Sequence, residues 1–193
     1  MSQNKTKKDD LSEESLRLEY CFDKGINFTD RIIQITGSIE DNQSFDWLDA
    51  AMTEMERKSK KAITLKINSP GGSTYEALAM VDRMQESKCQ IITKCYGHAM
   101  SAAGLILAAG DKRYMGTRSW FMYHEATYGT SVDKHSHLKE FIQQMDKEER
   151  AWARTMAEFS NQPLEFWENA AHKHDFYLDA KQCLELGVVD ELF

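Results

Sequence analysis

Strand-like and helix-like segments alternate along this chain between residues 31 and 109. Three segments rich in β-branched residues have the composition of strands: Arg31–Thr36, which is expected to end at Gly37, Ala62–Asn68 and Gln90–Tyr96. Two amphipathic segments lie between them and predict helices: Ser44–Lys58, and Ser73 to about Glu86 after a Ser-x-x-Glu capping pattern. Neighbouring parallel strands need crossover connections, which helices usually supply. The order therefore predicts an α/β fold with a largely parallel sheet.

Composition narrows the class of protein and its location. Residues 1–19 are highly charged and are expected to form a disordered tail, and residues 20–193 are expected to form one domain. Since no run of about eighteen apolar residues and no signal-peptide pattern is present, the sequence predicts a cytoplasmic protein without a membrane span. The net charge of -7 argues against nucleic acid and anionic membranes as partners. Four scattered cysteines are expected to be free thiols: Cys21, Cys89, Cys95 and Cys183.

A serine between small residues follows the third predicted strand. Ser101 lies in Gly97-His98-Ala99-Met100-Ser101-Ala102-Ala103-Gly104 and opens the apolar segment Ser101–Ala109, which indicates a hydroxyl at a helix N-terminus. The backbone N–H groups there are unpaired, and the helix dipole favours negative charge. Upstream, Ser69-Pro70-Gly71-Gly72 predicts a glycine turn that could donate another N–H. Two converging donors make an oxyanion hole, although serine is also common simply as a helix N-cap.

A nucleophilic serine needs a base, and one histidine follows a strand-like segment. His124 comes directly after Phe121-Met122-Tyr123, whereas the other histidines are expected to be solvated or, for the first of them, to line the site: His98, His135, His137, His172 and His174. Asp175 precedes the apolar segment Phe176-Tyr177-Leu178 and has no evident structural role. Asp179 is expected to cap a helix that ends near Leu186, before Gly187, and Asp190 to lie in a terminal turn. A serine, a histidine and an aspartate predict a serine peptidase, since the triad is defined by geometry and not by chain order.

Apolar residues recur at helical spacing over a long segment after His124. They are Leu138, Phe141, Ile142, Met145, Trp152, Met156 and Phe159. A helix of this length exceeds what a small domain normally requires to cover its sheet, so it is either a core-packing helix or an oligomerisation arm. Before it, Tyr128–Val132 is expected to form an extended edge, and after it a short helix is expected to start near Pro163.

Four segments, in this order, resemble the proteolytic subunit of the Clp protease family, ClpP. They are Ile67-Asn68-Ser69-Pro70-Gly71-Gly72; Gly97-x-Ala99-x-Ser101; Met122-Tyr123-His124; and Asp175 with Leu178 and Gly187-Val188-Val189-Asp190. The resemblance implies a ClpP/crotonase-like α/β fold of repeated βαβ units with a long protruding handle helix. It also implies catalysis by Ser101, His124 and Asp175. An oxyanion hole formed by the N–H groups of Gly72 and Ala102 is implied as well, with no metal or organic cofactor.

The resemblance further implies the partners of the chain. Copies of it would form heptameric rings, stacked in pairs as a tetradecamer, around a chamber in which unfolded polypeptides are cleaved. An ATP-driven unfoldase of the AAA+ class would feed this chamber. A substrate strand would lie along the sheet edge near Gly71–Ser73 and Gly129. Three features depart from the family pattern: Glu125-Ala126 replaces Gln-Pro, Phe176 replaces an arginine that links the rings, and residues 1–27 lack a recognisable axial-loop segment.

Three other functions stay open at this point. A crotonase-type acyl-CoA enzyme would share the architecture and the oxyanion geometry, but would use carboxylates and have no need of Ser101 with His124. A signal-peptide peptidase of the Ser–Lys type would need a catalytic lysine, for which Lys112 and Lys134 are available. A catalytically silent ring subunit would be expected to lack one member of the triad.

Overall fold

A computed structural model of the chain describes residues 15, 18, 21–41, 43–127, 129, 134–172 and 174–193. In this part of the chain the elements follow in the order β1 (Ile26–Asn27), β2 (Ile32–Ile39), α1 (Ser44–Lys58), β3 (Ile63–Gly72), α2 (Thr74–Glu86), β4 (Ile91–Met100), α3 (Ala102–Ala108), β5 (Lys112–Met115), β6 (Trp120–Tyr123), α4 (His135–Glu158), α5 (Leu164–Ala170), β7 (Phe176–Asp179), α6 (Ala180–Glu185) and β8 (Glu191–Leu192). The predicted tail over residues 1–19 lies outside the described residues except at Ser15 and Leu18, and the extended edge predicted for Tyr128–Val132 lies outside them except at Gly129.

The strands form one mixed sheet in the order β1-β2-β3-β4-β5-β8, and β6 joins it through β4. Strands β2, β3, β4, β5 and β8 are parallel to their neighbours, whereas β1 runs antiparallel to β2 and β7 antiparallel to β6. Strand β4 changes partner near Gly97, because Ile92–Cys95 pair with β5 and His98–Met100 pair with β6. The predicted α/β fold with a largely parallel sheet is confirmed.

Two glycine-containing segments differ from their prediction. The first strand does not end at Gly37 but continues to Ile39, with a bulge between Thr36 and Ser38. Gly37 has φ +73°, a conformation that glycine adopts without strain, and its carbonyl accepts a 2.6 Å hydrogen bond from Ser69 Oγ. The Pro-Gly-Gly segment is likewise not a turn: it forms the end of β3, where Gly72 pairs with Ile39 of β2. Pairing with a distant strand therefore keeps both segments extended.

Helix α1 has the predicted bounds and presents Leu48, Met52 and Met55 to the core, where each is almost fully buried. Burial of one such side chain contributes about 1.5–3 kcal/mol. Helix α2 begins as predicted, since Ser73 Oγ accepts from the Glu76 N–H. The second hydrogen bond of a capping box would run from the Ser73 N–H to the Glu76 carboxylate. Here the Ser73 N–H donates to the Ile39 carbonyl instead, and the Glu76 carboxylate accepts from the Phe45 N–H. Glu76 therefore ties α2 to the start of α1.

Helix α4 contains 24 residues and is about 36 Å long at 1.5 Å per residue. Its C-terminal half packs into the core through Trp152, Ala153 and Met156. In its N-terminal half, Leu138 and Ile142 are exposed to solvent over 40% and 48% of their surface. The core-packing interpretation thus describes the second half of the helix only, and the first half carries apolar side chains that the rest of the described chain does not cover.

In the C-terminal part of the chain, the observed elements agree with the predicted ones except at Asp190. Pro163 takes the N-cap position of α5, and Asp179 forms a capping box with Gln182 at the start of α6. Asp190 does not simply lie in a turn, because its carboxylate pairs with the Arg113 guanidinium, which also donates to the Gly187 carbonyl. The four cysteines are free thiols, as predicted, and burial raises the pKa of Cys95 to about 12. Among the helices described, none is long and apolar enough to cross a membrane.

Candidate active site

Strand register brings four chain segments together at one edge of the sheet. Met100, the last residue of β4, pairs with Met122 of β6, so Ser101 lies beside the end of β6. On its other side β4 pairs with β3, with Ala99 opposite Ser69, which places the glycines of β3 next to Ser101. Tyr123 pairs with Phe176, so His124 and Asp175 leave their antiparallel strands at neighbouring positions. Carboxyl ends of parallel strands are where α/β folds generally place their sites.

Ser101 stands in a sharp connection between β4 and α3. Its φ of +53° and ψ of -130° are unusual for a residue with a side chain. The Ser101 N–H donates to the Met122 carbonyl at 2.8 Å, and the Ser101 carbonyl accepts from the Gly104 N–H at 2.9 Å. Ser101 occupies the N-cap position, but its side chain makes no capping hydrogen bond. The interpretation of this serine as an ordinary cap therefore does not hold.

The hydroxyl of Ser101 instead contacts a histidine. His124 Nε2 lies 2.8 Å from Ser101 Oγ, within hydrogen-bond distance. The His124 side chain is 23% exposed, and the Trp152 ring meets it edge-on at 6.3 Å between centroids. The other histidines are elsewhere: His98 pairs with Trp120, His135 and His137 are exposed at the start of α4, and His172 and His174 are exposed near Asp175. Of the six histidines, His124 is the one that the fold brings to the serine.

Asp175 lies on the far side of the His124 ring. The distance from Asp175 Oδ1 to His124 Nδ1 is 3.8 Å, which allows an ion pair but is too long for a hydrogen bond, and the Asp175 side chain is 52% exposed. Closure by about 1 Å would form the bond, and catalytic hydrogen bonds are often long in the absence of substrate. Asp179 and Asp190 are occupied by the α6 cap and by Arg113.

Two backbone segments meet beside Ser101. Gly71 has φ +94°, and a side chain there would lie 2.5 Å from the Met100 carbonyl and 2.9 Å from the Ala102 nitrogen, so only glycine fits. Gly72 follows with φ +149°. Ala102 is the first residue of α3, where an N–H has no acceptor within the helix. The end of β3 and the start of α3 are thus in direct backbone contact at the serine.

A model of the Clp protease family matches residues 21–193. The chain belongs to the Clp protease family. It is 30% identical over 166 residues to the ATP-dependent Clp protease proteolytic subunit of Lactococcus lactis subsp. cremoris strain SK11, and 31% identical over 166 residues to the protein of that name from L. lactis subsp. lactis strain IL1403. Each alignment covers 84% of this chain and 83% of the relative. The chain is therefore a Clp-type peptidase subunit, a hydrolase.

The serine of this Clp protease opens onto a cleft of about 500 Å³. Ser101, His124 and Gly72 line it, together with three acidic residues, Glu40, Asp41 and Glu148. Glu148 Oε1 accepts a hydrogen bond of 2.6 Å from the Tyr75 hydroxyl. Sequence reasoning missed this pair, because the two residues are 73 positions apart and neither belongs to a motif.

The lysines considered for a Ser–Lys mechanism are not recruited in this Clp protease. Lys112 pairs with Ile92 near the start of β4, nine residues before Ser101, which corresponds to about 30 Å of extended strand. Lys134 precedes the exposed end of α4. His124 already occupies the hydrogen-bonding position at the Ser101 hydroxyl. The arrangement favours a Ser–His pair over a Ser–Lys pair.

Proposed function

We propose that this chain is a serine endopeptidase subunit that hydrolyses peptide bonds of unfolded polypeptides. The observation that carries the proposal is the 2.8 Å contact between His124 Nε2 and Ser101 Oγ, made by a serine in a strained backbone conformation. Membership of the Clp protease family supports it. An acyl-CoA enzyme of the crotonase type would not require this pair.

Each step of the proposed mechanism is assigned to a named group of the candidate site. His124 accepts the Ser101 proton as Oγ attacks the peptide carbonyl, and Asp175 stabilises the imidazolium that forms. The N–H groups of Gly72 and Ala102 stabilise the tetrahedral oxyanion. His124 then protonates the leaving amine, and water hydrolyses the acyl-enzyme with His124 again as base. No step requires a metal or an organic cofactor.

The substrate backbone lies extended along Gly71–Ser73 in this proposal. Gly71 and Gly72 form the carboxyl end of β3, Ser73 follows as the N-cap of α2, and Gly72 and Ser73 line the cleft together with Ser101. A peptide added there as a strand presents its carbonyl carbon to the serine and its side chains alternately to either side. Gly129 is proposed to contribute on the opposite edge of the peptide.

The peptidase is further proposed to work inside a cytoplasmic double ring of two heptamers, fed by an AAA+ unfoldase. Two observations support a ring: the relatives are named as subunits of an ATP-dependent protease, and Leu138 and Ile142 are exposed on the first half of α4. Native mass spectrometry of the purified chain is expected to show a tetradecamer. A monodisperse monomer with undiminished peptidase activity would contradict the chamber.

A fluorophosphonate reagent tests the chemistry itself, because it modifies only serines whose hydroxyl is activated. We expect stoichiometric modification of Ser101, detected by peptide mass mapping, and loss of that modification in His124→Ala. His98→Ala is the matched control, since His98 is close to Ser101 in sequence but pairs with Trp120, and it should be labelled like the wild-type chain. An unlabelled Ser101 in the assembled protein would identify a catalytically silent ring subunit.

A further inference from the structure

A second cavity, of about 450 Å³, opens on the other side of His124 between α4 and α5. His124, Ala126 and Trp152 line both this cavity and the cleft that contains Ser101. The cavity therefore adjoins the cleft in which a peptide bound at Ser101 would lie. We call it the acidic cavity, for the residues described next.

Carboxylates dominate the lining of the acidic cavity. Among the described residues, the acidic members are Glu125, Asp146, Glu149 and Glu168, and the basic ones are Arg150 and His172. Arg150 Nε is paired with Glu168 at 3.2 Å, and His172 Nδ1 lies 3.5 Å from Glu125. Burial, followed by the charges of Glu125 and Asp146, raises the pKa of the Glu149 carboxyl. With four carboxyl groups against one guanidinium and one imidazole, acidic groups outnumber basic groups in the described lining.

The inner wall of the cavity is aromatic. Tyr123, Trp152 and Trp167 pack edge to face, with centroids of Tyr123 and Trp167 5.1 Å apart. Tyr123 is 4% exposed and lines the cavity. Burial and then the charges of Glu149 and Glu168 raise the pKa of the Tyr123 hydroxyl, so its oxygen stays neutral and able to accept a hydrogen bond.

We propose that the acidic cavity receives a lysine or arginine side chain of the substrate, next to the peptide bond that is cleaved. The inference rests on the proposed peptidase function. The aromatic wall suits the aliphatic stem and the cationic head of such a side chain, while Glu149 and the Tyr123 oxygen accept its hydrogen bonds.

Two fluorogenic peptides test the proposal. They differ only in the residue whose carbonyl is attacked, which is lysine in one and norleucine, an uncharged residue with a similar aliphatic chain, in the other. We expect the wild-type protein to prefer lysine by about tenfold or more in kcat/KM, the effect of a hydrogen-bonded charge. Glu149→Gln should reduce that ratio by about tenfold, because the charge is lost while the shape is kept. Glu158→Gln, an exposed position on the same helix, should leave the ratio unchanged.

The ratio of the two rates is independent of how active each preparation is. Glu125→Gln repeats the test at a more exposed carboxylate, where the substitution does not threaten folding. Equal cleavage of both peptides by the wild-type protein, or an unchanged ratio in both variants, would overturn the proposal.

Calorimetric binding of the same peptides to Ser101→Ala separates the cavity from the chemistry. Tighter binding of the lysine peptide by a protein that cleaves neither peptide would support the cavity while the peptidase function fails. Equal binding of the two peptides would overturn the cavity whatever the activity.

Discussion

Ser101→Ala and His124→Ala are each expected to lower peptide turnover by about 10⁶-fold, as in other enzymes with a Ser–His pair. The reason is that the two groups, 2.8 Å apart, act as one unit: the hydroxyl cannot attack without a base, and the base has nothing to activate without the hydroxyl. For the same reason the double variant should be no slower than either single variant. Initial rates with a fluorogenic peptide measure the loss.

The comparison requires that the variants fold and assemble. Neither substitution removes a side chain from the fully buried core, so thermal unfolding and native mass should match those of the wild-type chain. If either variant kept its turnover within about tenfold of the wild-type value, Ser101 and His124 would not be the catalytic pair.

Asp175→Asn is expected to lower turnover by about 10⁴-fold, the effect known for the same exchange in other triads. An asparagine keeps the shape but offers His124 Nδ1 the wrong hydrogen-bonding partner, so the imidazole is held in the wrong tautomer. It also removes the negative charge that stabilises the imidazolium. The present separation of 3.8 Å between Asp175 Oδ1 and His124 Nδ1 means that this contact must shorten during the reaction.

Asp179→Asn is the matched control, four positions along the chain. Asp179 Oδ1 accepts from the Gln182 N–H at 2.9 Å, and asparagine caps a helix about as well as aspartate, so activity and stability should be unchanged. An inactive Asp179→Asn together with a normal Asp175→Asn would show that the third triad residue is misassigned. The assignment of Ser101 and His124 would survive that result.

Local patterns in the sequence predicted the elements that depend on local interactions. Helix α1 has the predicted bounds because its apolar spacing and its packing face agree. The sequence predicts a strand end at Gly37 and a turn at Pro70-Gly71-Gly72, since glycine and proline favour turns locally. Their extended form depends on pairing between β2 and β3, which are separated by a whole helix in the chain. No local pattern contains that information.

The same distinction between local patterns and distant contacts applies to the candidate site. Ser101 and His124 could be found because short motifs surround them, and Asp175 because the neighbouring aspartates had structural roles. The edge-on contact of Trp152 with His124 and the bond between Tyr75 and Glu148 could not be predicted, because they join elements far apart in sequence. The acidic cavity likewise combines β6, α4 and α5, and each of its carboxylates alone resembles an ordinary surface residue.

The backbone conformation of Ser101 sets function against stability at a single position. A residue other than glycine at φ +53° and ψ -130° costs on the order of 1–3 kcal/mol, and glycine would adopt the same geometry nearly free of strain. An engineering campaign that ranked variants of this chain by thermal stability alone would therefore be drawn towards glycine at position 101 and would discard the nucleophile. A screen for thermal stability must therefore keep serine at position 101, although the backbone is strained there.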